Sequence, residues 1–432
     1  MGPNDEMRRG EWQTGPTYGG QARGAAPVPT SGGESGRIVP SARQQAQVDQ
    51  IFRAFPNDVG RGPAKWQEVG VQYLYRMQRI LVRDEYVDQV LRYVDGADVD
   101  RSLIRGASLL RVQEEALNAV ERINARFGAG VAAPDHIVSI TGTAAWCPAT
   151  EPETVPGWSV PDPVLTTDHS AGEGVRVVVV DTGLDPTSPT WHPWMAGVTG
   201  DDDPAIGAGV LGPYAGHGTF IAGVVRSVAP RAEVVVRSAF NKAGAIFESD
   251  LVEALDAVLA NDSPDIISMS AGTWTFDATG PLGLNTFYET RLRHHKGVVL
   301  VAAAGNDSSR QPFWPAAAPW TVSVGALGTN WRTRADFSNF GGWVDVYAPG
   351  ENLINAFPSG VYTYHEPPLP RPDGKFEGMA RWSGTSFSTP IVAGLVAARM
   401  SQTGENGRDA AAALLVQARS TALPGVGAAL FP

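Results

Sequence analysis

From residue 174 onward the chain repeats one pattern: a short, almost wholly apolar run of strand length, then a stretch with helical spacing. The runs lie at 175–182, 233–239, 265–270, 298–304, 321–326 and 344–348. The helical stretches between them lie at 217–226, 249–260 and 286–295, with Ser249 expected to cap the second. A strand that is apolar at nearly every position must be covered on both faces. Alternation of such strands with helices predicts an α/β region built on a parallel sheet with helices on both sides. In sheets of this kind, ligands and reacting groups collect beyond the carboxyl ends of the strands.

The first part of the chain reads differently. Residues 1–40 are rich in Gly, Pro and Ser without periodicity, the composition of a disordered tail. A short helix is expected at 41–55, capped by Ser41, and strand, helix, strand, helix, strand at 73–82, 84–94, 107–112, 114–127 and 136–141. That order predicts a small α+β, ferredoxin-like domain with helices on one face of a sheet. Residues 142–170 hold Pro148, Pro152, Pro156, Pro161 and Pro163, a spacing that no regular element tolerates. The expected organisation is a tail at 1–40, an α+β region at 41–141, a Pro-rich linker at 142–170 and an α/β domain at 171–432.

Composition narrows the function. The net charge is -11 and no basic block stands out, which excludes a nucleic-acid partner. The single cysteine, Cys147, excludes an internal disulfide and a cysteine-based zinc site. No apolar run has the length of a signal peptide or a membrane span, so the expectation is a cytoplasmic protein with no membrane partner.

Three polar stretches fall at the ends of apolar ones. Val177-Val178-Val179-Val180 runs into Asp181-Thr182-Gly183, where a carboxylate ending a buried strand needs a partner. Gly216-His217-Gly218-Thr219 opens a helix with an imidazole between two glycines that would let a substrate backbone approach. Gly384-Thr385-Ser386-Phe387-Ser388-Thr389-Pro390 places a hydroxyl at the start of a long apolar helix. There Gly384 is expected to turn the chain and Thr385 to cap the helix, while Pro390 deprives one carbonyl of its donor. Each stretch alone has an ordinary structural reading: a turn carboxylate, a satisfied histidine, a capped helix. Together they supply a nucleophile, a base and an acid that orients the base.

These blocks, VVVVDTGLD, GHGTFIAGVV and GTSFSTPIVAG, closely resemble the three signature blocks of the subtilisin-like serine proteases, the subtilases. The resemblance runs from about Val175 to Ala398 and includes SMSAG at 268–272, VAAAGN at 301–306, DFSNFG at 336–341 and DVYAPG at 345–350, in family order. It implies a serine endopeptidase that works through an acyl-enzyme on protein or peptide substrates. Asp181 would orient His217, His217 would be the base for Ser386, and Asn306 would donate to the oxyanion. Ser270, Ala271, Gly272, Ala303, Ala304 and Gly305 would form the walls of the pocket for the residue before the scissile bond. Phe313 or Trp314 stands where a glycine-containing stretch is expected and would narrow that pocket.

The resemblance further implies that the N-terminal region is a prodomain acting as an intramolecular inhibitor and chaperone. Cleavage is then expected between about Thr141 and Glu153. No cofactor or catalytic metal is expected. The run Asp201-Asp202-Asp203 raises structural calcium, although a solvated loop is the commoner use of such a run. The Pro-rich segment at 361–382 reads as a hairpin leading into Ser386. The rival reading, a catalytically inactive peptide-binding module on the same fold, is disfavoured by the complete set Asp181, His217, Asn306 and Ser386. An esterase would need a Gly-X-Ser-X-Gly elbow, which residues 384–388 do not supply.

Overall fold

A computed structural model describes residues 42–63, 72–140, 150–367 and 369–432. The tail at 1–40, Ser41, Cys147, Pro368 and the connector segment 141–149 lie outside the described residues.

The α/β region is built on a seven-stranded parallel sheet. In chain order its main strands are β6 (Arg176–Asp181), β7 (Glu233–Ser238), β9 (Ile266–Met269), β10 (Val299–Ala303), β11 (Val322–Leu327) and β12 (Val346–Pro349). They lie in the order β12-β11-β10-β9-β6-β7, with the short strand Thr199–Gly200 at the far edge. The helices are α4 (His217–Val228), α5 (Glu248–Asn261), α6 (Leu282–Thr290) and α7 (Thr385–Thr403).

Alternation along β6 explains how both faces are covered. Val177 and Val179 pack with Phe220 and Val224 of α4 and Ile391 of α7. Val178 and Val180 pack with Leu251 and Leu255 of α5 and Phe287 of α6. The four-valine run thus serves two separate cores. It ends at Asp181, at the carboxyl edge where the sequence placed the candidate chemistry.

The N-terminal region keeps the expected order of helices and strands, with two more strands. Helix α1 (Ala42–Ala54) and strand β1 (Val59–Pro63) precede β2 (Gln72–Arg83), α2 (Val87–Tyr93), β3 (Asp98–Ile104), β4 (Ala107–Arg111), α3 (Ala116–Phe127) and β5 (Ala132–Ser139). The strand order β5-β2-β4-β3 with two helical crossovers is ferredoxin-like. Strand β3 shows no apolar alternation because it is an edge strand in which only Ile104 is buried. Ile80, Val82, Leu110, Val120 and Ile123 form the core between sheet and helices.

The two regions share hydrogen bonds. Strand β8 (Ala245–Phe247), from the α/β part, extends the N-terminal sheet by pairing with β5. Ser249 does not cap α5: the cap position is Phe247, and no side chain there accepts a bond. Instead the Ser249 N–H and hydroxyl donate to Asp135 of β5 at 2.9 and 2.8 Å. A strand carboxylate therefore satisfies the positive end of a helix in the other region. Beside it, Glu248 accepts from the Gly283 and Leu284 N–H groups at the start of α6, and its other oxygen lies 2.8 Å from His136 Nδ1. The Phe276 N–H donates to His136 Nε2, so the proton of this neutral ring sits on Nδ1.

Burial pushes the Asp135 carboxyl up to about 7, against the pull of the Ser249 bonds. The folded protein therefore holds a proton that the unfolded chain releases near its ordinary value of 3.8. This group's contribution to stability is greatest below that value, falls as pH rises to about 7 and is flat above it. Denaturant melts of the Ser386→Ala protein should lose more stability between pH 5 and 7.5 than those of a Ser386→Ala/Asp135→Asn double variant. Equal losses would contradict this.

Candidate active site

Asp181 ends β6 wholly buried, and its Oδ1 lies 2.7 Å from His217 Nδ1. The Thr182 N–H donates to the same oxygen at 2.8 Å. Oδ2 is buried without a hydrogen-bond partner among the described residues. Imidazole and backbone N–H therefore carry the stabilisation of this charge, which a buried carboxylate requires. His217 is the first residue of α4, and its ring is held edge-on by Trp382 at 5.2 Å and tilted against Phe387 at 5.3 Å. With Nδ1 turned to Asp181, Nε2 is the ring nitrogen left for proton transfer. His217 and Ser386 line one narrow cavity together with Gln47, Ile140, Thr150 and Glu366.

The glycines around His217 have a different use from the one expected. Gly216 adopts φ +80, and a Cβ there would stand 2.3 Å from Pro358. A Cβ on Gly218 would stand 2.4 Å from the Gly183 carbonyl. Both let α4 seat against neighbouring protein backbone and side chains, not against a substrate.

The start of α7 likewise corrects the local expectation. Gly384 has φ 164, an extended conformation open to any residue, so it makes no glycine-specific turn. Thr385 is inside the helix and caps nothing with its side chain. The cap comes from Asn306, whose Oδ1 accepts from the Thr385 N–H at 2.8 Å and from its hydroxyl at 3.0 Å. With Oδ1 so engaged, the Nδ2 donors of Asn306 point away from Thr385. Asn339 secures the loop behind: it donates to the Ala304 carbonyl at 2.8 Å and accepts from the Asp307 and Ser309 N–H groups, both at 2.9 Å.

Pro390 lies inside α7, so the Ser386 carbonyl, four residues earlier, has no helical donor. The Ser270 hydroxyl supplies the bond at 2.8 Å. Ser270 thus fixes the backbone of Ser386. Ala271, Ala303 and Ala304 are buried beside it at the ends of β9 and β10. Phe313 lies between the two walls, whereas Trp314 lies against Gly280 and pairs through its backbone with Thr273.

Asp201 and Asp203, two of the three carboxylates at 201–203, are committed to protein donors. Asp203 accepts from the Thr182 hydroxyl, the Gly216 N–H and the Ala205 N–H at 2.9, 2.8 and 2.9 Å. Asp201 pairs with Arg237 at 2.9 Å. Asp203 therefore ties the segment after Asp181 to the residue before His217, a role that the sequence masked behind a possible calcium loop. Burial raises its carboxyl above the usual range. Among the described residues no group of three or more His, Cys, Asp or Glu side chains could hold a metal ion.

Loss of the Ser270 hydroxyl would leave the Ser386 carbonyl unpaired in a buried site, at a cost of roughly 1–3 kcal/mol. In Ser270→Ala, kcat on a peptide substrate should fall about tenfold with KM nearly unchanged. A wild-type kcat in a variant with a normal melting curve would show that the bond does not position Ser386.

The family model described as "Subtilase family" matches residues 172–428. A thermophilic serine proteinase of Bacillus sp. (strain AK1) is 30% identical over 251 residues, 54% of this chain and 54% of that protein. An intracellular serine protease of Paenibacillus polymyxa is 30% identical over 250 residues, 53% of this chain and 68% of that protein. The chain spans about half to two thirds of the length of these curated relatives. Among solved structures, fervidolysin from Fervidobacterium pennivorans, described as a keratinolytic enzyme related to subtilisin, overlaps 82% of this chain and 60% of its own. Its TM-score is 0.56 at 21% identity, a likeness of fold.

Proposed function

Since this chain belongs to the subtilase family, we propose that it is a serine endopeptidase acting through Asp181, His217 and Ser386. The observation that carries this reading is the 2.7 Å Asp181–His217 bond beside a cavity shared by His217 and Ser386. Ser386 Oγ attacks the scissile carbonyl carbon while His217 Nε2 takes its proton. The imidazolium that forms keeps its Nδ1–H on Asp181, whose buried charge stabilises it. Negative charge that develops on the substrate oxygen is received by Asn306 Nδ2 and the Ser386 N–H at the positive end of α7. His217 returns the proton to the leaving amine as the C–N bond breaks. Water, activated by the same ring, then hydrolyses the acyl-enzyme ester and regenerates Ser386.

The N-terminal region is proposed as an intramolecular inhibitor that is removed by cleavage in the connector. Three contacts support this. Ser139 and Gly272 exchange backbone hydrogen bonds at 3.0 and 2.9 Å, so the end of β5 continues into the cleft as a paired strand. Ile140 and Thr150, the described residues on either side of 141–149, both line the cavity with His217 and Ser386. Gln47 of α1 also lines it and donates to Glu366 at 2.6 Å, which adds a second obstruction from the hairpin side. Downstream, Glu151 is held by the His365 N–H at 2.7 Å and by Arg371, an anchor that would persist after cleavage upstream.

Wild type and Ser386→Ala, purified in parallel, test both parts of the reading. The wild type should be clipped within 141–149 and cleave casein; Ser386→Ala should remain full length and lose activity by about 10⁴–10⁶, the scale of losing one member of such a triad. Equal casein cleavage by the two would refute the mechanism. A fully active wild type that stays uncut would refute the processing alone.

A further inference from the structure

The cleft already contains a peptide in strand pairing, and its register identifies which neighbouring residues set specificity. Ser139 pairs antiparallel with Gly272 on one side and with Ala245 of β8 on the other. One residue on, the Ile140 N–H donates to the Gly244 carbonyl at 2.9 Å. The Ile140 side chain lies on the Gly244 and Tyr214 side, within the cavity of His217. A strand held in this register runs antiparallel to 272→270. In a substrate bound in the same register, the following residue would stand beside Ser270, whose hydroxyl holds Ser386. By alternation, its side chain would point away from Tyr214, between the segments 270–272 and 303–305.

That space holds a phenyl ring. Atoms of Phe313 lie 2.2 Å from where a Cβ on Gly272 would stand and 2.9 Å from where one on Gly305 would stand. The ring is 3% exposed and is braced edge-on by the fully buried Trp274 at 5.2 Å. Trp314 is excluded from this role because its ring faces Gly280 outside the two walls.

We infer that Phe313 fills the side-chain pocket beside Ser386, so that the protein cleaves after small residues such as Ala, Ser or Thr and rejects large ones. This rests on the endopeptidase reading and adds the substrate class. The chain's own sequence agrees independently: the residues after Ile140 are Thr141-Gly142-Thr143-Ala144-Ala145, a run without one large side chain.

The test uses p-nitroanilides of Ala-Ala-Pro-X, with X Ala, Thr, Leu or Phe, on wild type, Phe313→Gly and Ser386→Ala. In the wild type, kcat/KM for Ala or Thr should exceed that for Phe by about tenfold or more. Phe313→Gly should gain activity on Phe and lose the preference. A wild type that cleaves the Phe peptide as fast as the Ala peptide overturns the inference and leaves the endopeptidase reading standing, as does a folded Phe313→Gly with an unchanged preference. If Phe313→Gly fails to fold, the wild-type panel and the termini of its casein fragments decide. Absence of any Ser386-dependent cleavage overturns both readings.

Discussion

A carboxylate buried at the end of a sheet strand must be met by another group, and here that group is the ring of His217. The need is physical before it is catalytic, because an isolated buried charge would be expelled or neutralised. Meeting it requires α4 to begin close against the end of β6, which the seating of Gly216 and Gly218 allows. Asp203 and Thr182 tie the two segments together. The same valine run that buries β6 on both faces thus delivers Asp181 to a fixed place, and the helix start brings a base whose tautomer is set by its partner.

The nucleophile side is held by a different economy of hydrogen bonds. Pro390 removes one helical bond and Ser270 replaces it from the end of β9. Asn306, at the end of β10, caps α7 through its oxygen while its nitrogen points away. Two neighbouring strand ends therefore hold one helix start. Each bonds Ser386 or its neighbour Thr385 directly, so a shift in either would be felt at Ser386. Phe313 closes the space between those same strand ends, which is the basis of the selectivity proposed above.

Much of this was legible in the sequence. Continuous apolar strands alternating with helices specified the parallel sheet, polar residues at a strand end and two helix starts marked Asp181, His217 and Ser386, and the family resemblance added Asn306. The ferredoxin-like region was readable from its helices and inner strands, but not β1, whose five residues include two glycines and a proline, nor β3, whose solvent-facing edge has no apolar period. Pro390 announced a missing donor without revealing its replacement, because Ser270 lies 116 residues from Ser386. The cap of α5 was hidden for the same reason: Asp135 is 114 residues from Ser249. Local propensity assigned a cap to Ser249 and another to Thr385, and in both places a distant side chain makes the bond. The choice between Phe313 and Trp314 needed the register of Ser139 on Gly272, which no local pattern encodes.

The central claim is that His217, oriented by Asp181, activates Ser386. Mass spectrometry of the protein after reaction with a fluorophosphonate measures this directly, in wild type and in His217→Ala. The account predicts one adduct, on the peptide containing Ser386, formed far more slowly when His217 is removed. An adduct on a different residue, or a rate at Ser386 indifferent to His217, would contradict it.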